Sequence, residues 1–451
     1  MTVIPPEREH TRSGDPRSTT STNQVVDLGS DSAGRVATLA EDLAAALATP
    51  PVRTADGDDG PRSRRWWDQS LSKGAAGVVV LHAARGRADL AHAWLTRAVC
   101  EDVSATGGCG LWFGAPAVAF AVLAAGEHRY PRPAHRLREA VTAQVRHRLA
   151  AVNARITAGD RRPERSEYDL VRGLSGLGAL LLPDPGAGPP SEDTAADVEL
   201  LRAVLGYLVR LTDPVPVADG LGTAAPGWWS TDVPSGPGAE VFAGGHADQG
   251  AAHGICGPLS LLCLAYRADI RVPGHREAIE RICAWLDRWR QHDRAGGPWW
   301  PQRVTRRELQ TGQVAEQSGP GRPSWCYGTP GIARAQQLAG IALGDHARQD
   351  AAEDALTRAV NDPAQLDLLG DTSVCHGWAG VTATLWHAAR DSQSPAVSAA
   401  LATVVPRLTA LAARDPGAPV GLIDGGAGVA LTLRTISTGR TNGWSRCLLM
   451  A

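Results

Sequence analysis

The sequence predicts an all-α fold, an α/α toroid in which seven helical hairpins form an inner and an outer ring of helices. Three observations predict it: a glycine-containing turn recurs seven times, an apolar helical segment follows each turn, and amphipathic segments separate the units. Helices that are apolar on all sides are buried, whereas amphipathic helices expose one face. Repeats of this kind stack so that each unit buries the apolar face of its neighbour.

The glycine turns are the clearest repeat. They read KGAAG at 73–77, GLWFG at 110–114, RGLSG at 172–176, HGICG at 253–257, YGTPG at 327–331, HGWAG at 376–380 and DGGAG at 424–428. Glycine lets the chain enter each inner helix with positive φ and allows close packing at a crowded axis. An open α-solenoid is the alternative fold. It requires polar capping repeats at both ends, and the last unit here is as apolar as the others.

Amphipathic segments precede the turns and are predicted to form the outer ring. They cover residues 35–48, 134–156, 195–211, 275–289 and 395–413. Residues 1–34 are rich in Ser, Thr, Pro and charged side chains and have little to bury. We therefore expect a disordered N-terminal tail over 1–34, followed by one toroid domain over 35–451.

Two long segments, 212–248 and 293–324, interrupt the repeat, and each carries a pair of adjacent tryptophans. Loops at one rim of a barrel often form the mouth through which substrate enters. The alternative is that both are irregular surface loops whose tryptophans act as plugs. The pattern alone favours neither interpretation.

The composition limits the classes of partner. Acidic and basic residues number 47 and 45, so the net charge of −2 gives no reason to expect nucleic acid or a membrane surface. The N-terminal residues have no apolar core and are not a secretory signal. The longest uncharged apolar run, 111–126, is shorter than the roughly 18–20 residues that span a bilayer. We expect a cytoplasmic protein without membrane insertion, and its eight cysteines are too few for a disulfide scaffold.

Four of the seven turns carry side chains suited to chemistry. These are Asp169 in the third turn, His253 in the fourth, Cys326 in the fifth, and the adjacent Cys375 and His376 in the sixth. If the repeats close into a ring, these turns point into one mouth. Two thiols and an imidazole are a good ligand set for zinc. Three ligands without a fourth leave a coordination position for water or substrate, as in catalytic zinc sites.

Other roles are open for several of these residues. A single cysteine is more often a small buried hydrophobe than a ligand. Cys256, in the fourth turn, is either a fourth ligand or a packing residue. His253 can cap or pack, and Asp169 can cap its helix or pair with Arg172. The remaining cysteines are assigned to packing: Cys100, Cys109, Cys263, Cys283 and Cys447.

Five segments carry a resemblance to a known family. They are YDLVRGLSG, AAHGICGPLSLL, RPSWCYGTPG, CHGWAG and the closing GLIDGGAGVALTL. Over residues 36–451 the sequence resembles the lanthionine synthetase C family, the LanC-like cyclases of lantibiotic biosynthesis. Two departures stand out. Asp248-Gln249-Gly250 stands where the family often has Asn-Leu-Gly, and Ala115-Pro116 follows the second turn, where small helix-opening residues are usual.

The resemblance implies a toroid of seven hairpins and a role for each site residue. Zn²⁺ ligands are implied at Cys326, Cys375 and His376, acid–base groups at His253 and Asp169, and site-lining residues at Arg322 and Tyr327. The implied reaction is the addition of a peptide cysteine thiol to dehydroalanine or dehydrobutyrine, which forms a lanthionine or methyllanthionine ring. Arg322 would stabilise the enolate that develops during this addition.

The predicted function is that of a stand-alone class I lanthipeptide cyclase, because no dehydratase or kinase segment precedes the toroid. Its expected partners are a dehydrated precursor peptide, a lantibiotic dehydratase and an exporter. Three alternatives use the same fold. They are a glutathione-type thiol transferase acting on dehydroamino acids, a non-catalytic scaffold for leader peptides, and a sugar-cleaving barrel. The last would need two catalytic carboxylates, and the turns offer only Asp169 and Asp424.

Overall fold

Seven inner helices form a closed ring, which confirms the predicted toroid. The computed structural model describes residues 28–51, 68–160, 162–183, 192–216, 224–233, 238–414 and 419–451. The inner helices are α2 (Ala75–Ala84), α4 (Ala115–Ala125), α7 (Leu174–Leu181), α9 (Cys256–Arg267), α12 (Thr329–Leu343), α15 (Trp378–Asp391) and α17 (Gly426–Thr438). Each contacts the next, and α17 contacts α2. The closing contact rules out the open solenoid.

Seven outer helices surround this ring. They are α1 (Ser30–Ala46), α3 (Ala88–Ala98), α5 (Pro131–Thr157), α8 (Glu192–Leu211), α10 (His275–Trp289), α13 (His346–Asn361) and α16 (Pro395–Ala412). Each outer helix from α3 onwards packs against the inner helix before it, and α1 packs against α17. The sequence gives only the order of outer and inner helices along the chain, and the structure adds which inner helix each outer helix packs against. Helix α1 begins at Ser30, inside the segment predicted as tail, while residues 1–27 lie outside the described part.

Backbone hydrogen bonds join neighbouring glycine turns at one end of the toroid, which we call the mouth. These bonds run from the N–H to the carbonyl oxygen: Leu422 to Leu71 (2.9 Å), Val374 to Ile423 (2.9 Å), Cys326 to Cys375 (3.2 Å), Ala251 to Cys326 (2.8 Å), Leu170 to Ala252 (3.1 Å) and Leu71 to Trp112 (3.2 Å). Buried amide groups must be paired, and here their partners lie in the next repeat. The turns therefore hold one another in a fixed order around the ring.

Close packing explains the second glycine of these turns. A methyl group at Gly331 would overlap the carbonyl oxygen of Trp325, and one at Gly428 would overlap that of Leu422. The same contact, with the carbonyl six residues earlier, recurs at Gly77, Gly176, Gly257 and Gly380. The expectation of positive φ is wrong for the turn glycines other than Gly114, whose φ is 73°. Space for the backbone, rather than left-handed conformation, is what these positions require.

The two interrupting segments are joined to each other. Strand β3 (His246–Asp248) of the first pairs antiparallel with β6 (Arg303–Thr305) of the second. Two smaller antiparallel sheets lie within or next to these segments. They pair β1 (Val215–Pro216) with β2 (Ala224–Ala225), and β4 (Gln291–His292) with β5 (Pro298–Trp299). Their four tryptophans, Trp228, Trp229, Trp299 and Trp300, are at most 5% exposed. The tryptophans are therefore core residues, while the role of the two segments at the mouth stays a prediction.

Short helices complete the described chain. They are α6 (Arg165–Tyr168), α11 (Arg306–Thr311) and α14 (Pro363–Leu366), with 3₁₀ turns at Glu127–Arg129, Ala239–Phe242 and Trp444–Leu448. Helix α11 begins with a capping box in which Thr305 and Glu308 satisfy each other's backbone N–H groups. Glu308 is fully buried and also accepts the N–H groups of Ala315 and Glu316, so it fixes the course of the second segment.

One described helix, α16, is long and apolar enough to cross a membrane by length and composition alone. It packs against α15 and α13. A core helix of a soluble protein passes the same test, so this single helix is weak evidence for a membrane span.

The close packing of the turns can be tested at Gly428. We expect Gly428→Ala to lower the free energy of unfolding by about 1–3 kcal/mol, because the added methyl group overpacks a rigid backbone contact. The matched control is Gly34→Ala on the exposed face of α1, where a Cβ meets nothing within 4 Å. That change should stabilise the helix by about 0.5–1 kcal/mol. Thermal and urea unfolding measure both, and equal stabilities would contradict the packing argument.

Candidate metal centre

Three of the side chains singled out by the sequence meet at the mouth. One potential ligand atom from each of Cys326, Cys375 and His376 lies within 4.8 Å of the other two. Cys326 follows the close backbone contact in the fifth turn, and Cys375 occupies the same position in the sixth. The hydrogen bond from the Cys326 N–H to the Cys375 carbonyl oxygen, at 3.2 Å, fixes the two turns side by side. Ring closure therefore brings residues from two turns to one point.

Hydrogen bonds link the three groups. A hydrogen bond with Cys375 holds the pKa of Cys326 well below its ordinary value, and bonds with His376 and Ser324 act in the same direction. The same hydrogen bond between the two sulfur atoms, followed by burial, raises the pKa of Cys375. Two sulfur groups and an imidazole are soft and borderline donors, which suit a metal such as zinc.

Asp371 orients the imidazole of this group and was not predicted. Its Oδ2 lies 3.2 Å from Nε2 of His376, while its Oδ1 accepts the N–H of Ser373 at 2.7 Å. The bond with Asp371, followed by that with Cys326, raises the pKa of His376 to about 9. Since Nε2 faces the carboxylate, Nδ1 is the ring nitrogen left for a metal. A carboxylate behind a histidine ligand is a common outer partner in metal sites.

Asp169 and His253 form a second pair. Nδ1 of His253 lies 2.6 Å from Oδ2 of Asp169. Oδ1 of the same carboxylate accepts the N–H groups of Arg172 at 2.6 Å and Gly173 at 2.8 Å. Asp169 therefore caps its own turn and orients the histidine of the next turn at the same time. The capping contact considered from the sequence is present, while the role of Asp169 in acid–base chemistry stays a prediction.

Tyr327 lies between this pair and a buried carboxylate. Its ring stacks on that of His253 with centroids 6.3 Å apart. Its hydroxyl donates to Oδ2 of Asp248 at 2.9 Å and accepts from Arg303 at 3.4 Å. Burial, and then the charge of Asp248, raises the pKa of Tyr327 well above its ordinary value. The tyrosine therefore stays protonated at neutral pH.

Asp248 and Arg303 were not predicted as site residues. Asp248 is fully buried and faces two guanidinium groups, those of Arg165 at 3.5 Å and Arg303 at 3.3 Å. The sequence signal for Asp248 was its place in Asp248-Gln249-Gly250, where the resembling family often has asparagine. Arg303 carried no signal, because it reaches Tyr327 only through the β3–β6 pairing of the two interrupting segments.

Charged residues flank the thiols. The positive charge of Arg322 lowers the pKa of both Cys375 and His376, although hydrogen bonds dominate each shift. The negative charge of Asp424 acts on Cys375 in the opposite direction. Arg322 therefore lies near enough to Cys375 and His376 for its charge to act on both. Its role, like those of the other site residues, stays a prediction.

The functional side chains recur at one position of the repeat. In six turns, two glycines lie three residues apart, and the second of them is the close-packed one. We call the residue just before the first glycine the mouth position, and it is occupied by Lys73, Arg172, His253, Tyr327, His376 and Asp424. The residue just before the mouth position is Cys326 in the fifth turn and Cys375 in the sixth. The second turn differs, because Phe113 precedes Gly114 at the start of α4 and Ala117 stands where the other turns have the close-packed glycine.

The remaining cysteines do not join the candidate ligands. Cys256 is buried at the start of α9 and its burial raises its pKa well above the ordinary value, which favours packing over ligation. The packing assignment is confirmed for four others, which are buried: Cys109, Cys263, Cys283 and Cys447. It is wrong for Cys100, which is exposed after the end of α3.

Comparisons with known proteins agree with this architecture. A family model described as lanthionine synthetase C-like protein matches residues 65–449. The chain is 25% identical over 215 residues to the nisin biosynthesis protein NisC of Lactococcus lactis subsp. lactis, a match that spans 48% of this chain and 47% of that relative. A solved structure of a nisin cyclase aligns with a TM-score of 0.69 and 20% identity, covering 85% of this chain and 92% of the other. This last likeness shows the fold.

The double role of Asp169 can be tested by two substitutions. Asp169→Ala removes the cap, and we expect the free energy of unfolding to fall by about 1–2 kcal/mol. Asp169→Asn keeps an oxygen for the cap but presents an amide N–H₂ to His253. Stability should then change little, while His253 switches from the Nδ1–H to the Nε2–H tautomer. Urea unfolding and ¹⁵N-histidine NMR measure the two effects; equal destabilisation by both variants would refute the proposed division of roles.

Proposed function

Because the chain belongs to the lanthionine synthetase C-like family, we propose that it is a zinc-dependent lanthipeptide cyclase. It adds cysteine thiols of a dehydrated precursor peptide to dehydroalanine or dehydrobutyrine and so closes thioether rings. The observation that carries this proposal is the convergence of Cys326, Cys375 and His376 from two neighbouring turns. Three ligands at a mouth leave a coordination position for a substrate thiol.

The donor set fits zinc. Zinc–sulfur and zinc–nitrogen bonds are about 2.3 and 2.0–2.1 Å long, so ligand atoms of one tetrahedral ion lie less than about 4 Å apart. The three ligand atoms already lie within 4.8 Å of one another. Asp371 supplies the outer partner that fixes the ring of His376. Zinc bound here would lower the pKa of a substrate thiol in its open position and favour the thiolate.

The pair of His253 and Asp169 moves the proton. A free cysteine thiol has a pKa of about 8.5, so it is mostly protonated at neutral pH. The imidazole of His253, with Nδ1 held by Asp169, offers Nε2 to accept the thiol proton. The thiolate then attacks the β-carbon, the π electrons move onto the carbonyl oxygen, and His253 returns a proton to the α-carbon. The proton balance closes without another reactant.

Tyr327 and Arg322 line the path of the acceptor. The phenol of Tyr327 is held by Asp248 and stacks on His253, so it limits the orientations available to a bound dehydroamino acid. Arg322 contributes a positive charge near the thiols, where negative charge develops during the addition. We propose a class I enzyme of the cytoplasm that works with a dehydratase and an exporter.

Metal binding can be tested independently of activity. We expect purified protein to hold one equivalent of zinc by elemental analysis, and Cys326→Ala or Cys375→Ala to lose it. Cys283→Ala, a buried cysteine on α10, is the matched control and should keep the metal. Asp371→Asn should weaken zinc affinity by about 10- to 100-fold, measured by chelator competition. Full zinc occupancy in Cys326→Ala would contradict the proposed metal site.

Formation of a thioether ring can be tested with a synthetic peptide that carries one dehydroalanine four residues before one cysteine. We expect the zinc-loaded enzyme to make its thiol resistant to iodoacetamide, which mass spectrometry detects as loss of alkylation. His253→Ala should slow this by about 10²- to 10⁴-fold and retain zinc. A thiol that stays fully alkylatable contradicts the proposal. Addition of glutathione to the peptide would indicate the thiol transferase, and full activity of Cys326→Ala would indicate a scaffold.

A further inference from the structure

Three of the six mouth positions have no role in the proposed reaction, those of Lys73, Arg172 and Asp424. His253, Tyr327 and His376 occupy this position in the fourth, fifth and sixth turns. Lys73 and Asp424 occupy it in the first and seventh turns, which ring closure makes neighbours. Nζ of Lys73 lies 3.7 Å from Oδ2 of Asp424, and the Ser72 hydroxyl donates to the same oxygen at 3.4 Å. A second pair of charged groups therefore stands at the mouth.

The ion pair of Lys73 and Asp424 is not needed to close the toroid. The backbone already joins the two turns, through hydrogen bonds from Leu422 to Leu71 at 2.9 Å and from Ile423 to Ser72 at 3.1 Å. The side chain of Lys73 is 49% exposed. Exposed ion pairs contribute only about 0–1 kcal/mol to stability. A structural role alone gives little reason to place a lysine here.

The pair lies beside the candidate metal ligands, on the side away from His253. The N–H of Cys375 donates to the carbonyl oxygen of Ile423 at 3.1 Å, and Asp424 is the next residue. Asp424 is close enough for its charge to act on the Cys375 thiol. Around the ring, the thiols are therefore flanked by His253 with Asp169 on one side and by Lys73 with Asp424 on the other.

We propose that Lys73 is a further catalytic residue of the cyclase, and that its ammonium group binds the carbonyl oxygen of the dehydroamino acid. Asp424 is a positioning residue that holds the flexible lysine side chain towards the mouth. This inference rests on the proposed function and assigns a ligand class, a peptide carbonyl conjugated to a carbon–carbon double bond.

The chemistry needs such a group opposite the proton donor. When the sulfur electron pair forms the bond to the β-carbon, the π pair of the double bond moves through the α-carbon onto the carbonyl oxygen. An ammonium N–H aimed at that oxygen stabilises the charge as it develops. The proton that His253 took from the thiol is then delivered to the α-carbon, and the carbonyl re-forms. Lys73 donates a hydrogen bond throughout and keeps its proton.

Kinetics with the synthetic peptide test the role of the charge. We expect Lys73→Met to lower kcat by about 10²- to 10³-fold, the usual effect of removing one such donor, with little change in KM. Lys73→Arg should restore most of kcat. The matched control is Arg87→Met, since Arg87 is 50% exposed and pairs with Asp89 on the outer helix α3. It should stay within about twofold of wild type, as surface changes usually do. An unchanged kcat in Lys73→Met would overturn the proposal.

The chain offers a readout that needs no variant, because Lys73 is its only lysine. Reductive methylation with ¹³C-formaldehyde labels Lys73 and the N-terminal amine and keeps both charges. The two NMR signals can be told apart by their chemical shifts, because one label is on a lysine ε-amine and the other on an α-amine. We expect the Lys73 signal to shift when a peptide with alanine in place of cysteine, and with its dehydroalanine intact, is added.

The two experiments separate the two proposals. A Lys73 signal that shifts with the unreactive peptide, in an enzyme that closes no ring, supports the binding role and refutes the cyclase. A signal that does not move, in an enzyme that does close the ring, refutes the role of Lys73 and leaves the cyclase intact. A fall in melting temperature for both Lys73→Met and Lys73→Arg without a fall in kcat would reduce the pair to a structural contact.

Discussion

The close approach of neighbouring glycine turns is the constraint on which the rest of the structure depends. Each close-packed glycine lies against a carbonyl oxygen of its own turn, and backbone hydrogen bonds join most neighbouring turns. The hydrogen bond from the Cys326 N–H to the Cys375 carbonyl oxygen is one of these ring contacts. Because a ring needs every contact to close, the position of the candidate ligands is set by all seven repeats together rather than by the two turns that carry them.

The sequence predicts the parts of the fold that depend on periodicity. Apolar segments after glycine turns gave all seven inner helices, since uniform apolarity and burial are directly linked. The partner of each outer helix was not predicted, because an amphipathic helix shows which face it buries but not which neighbour covers it. Of the two reasons given for the turn glycines, close packing is confirmed and positive φ is wrong except at Gly114. Gly328, for example, has a φ of −85° that any residue can adopt, and it is the crowding around the turn that excludes a side chain.

The residues of the candidate site were also predictable only in part. Cys326, Cys375, His376, His253 and Asp169 could be found because they stand at repeated positions, and a closed ring makes repeated positions converge. Asp371, Asp248 and Arg303 could not, because their contacts depend on side-chain direction and on the pairing of β3 with β6. Such contacts join segments without periodicity, and no pattern in the sequence records them. The contacts of Asp169 could not be predicted either. One carboxylate oxygen caps the turn and the other holds His253, and the sequence does not show the hydrogen-bond partner of either oxygen.

One backbone position carries a polar or charged side chain in six turns, and this follows from the way the ring is built. The close-packed glycine fixes the path of each turn, so the residue four positions earlier can vary without disturbing the fold. The residue just before it varies as freely, and it is cysteine only in the fifth and sixth turns. Backbone hydrogen bonds also hold this position beside the next turn elsewhere in the ring, but only the fifth and sixth turns carry thiols there. The chemistry of these positions can therefore vary one turn at a time, while the glycines and carbonyl groups keep the path of each turn. The fold does not need the lysine and the aspartate that occupy two of these positions. They lie on the side of the thiols away from His253, so the proposed addition has its proton donor on one side and the group that stabilises the charge on the carbonyl oxygen on the other.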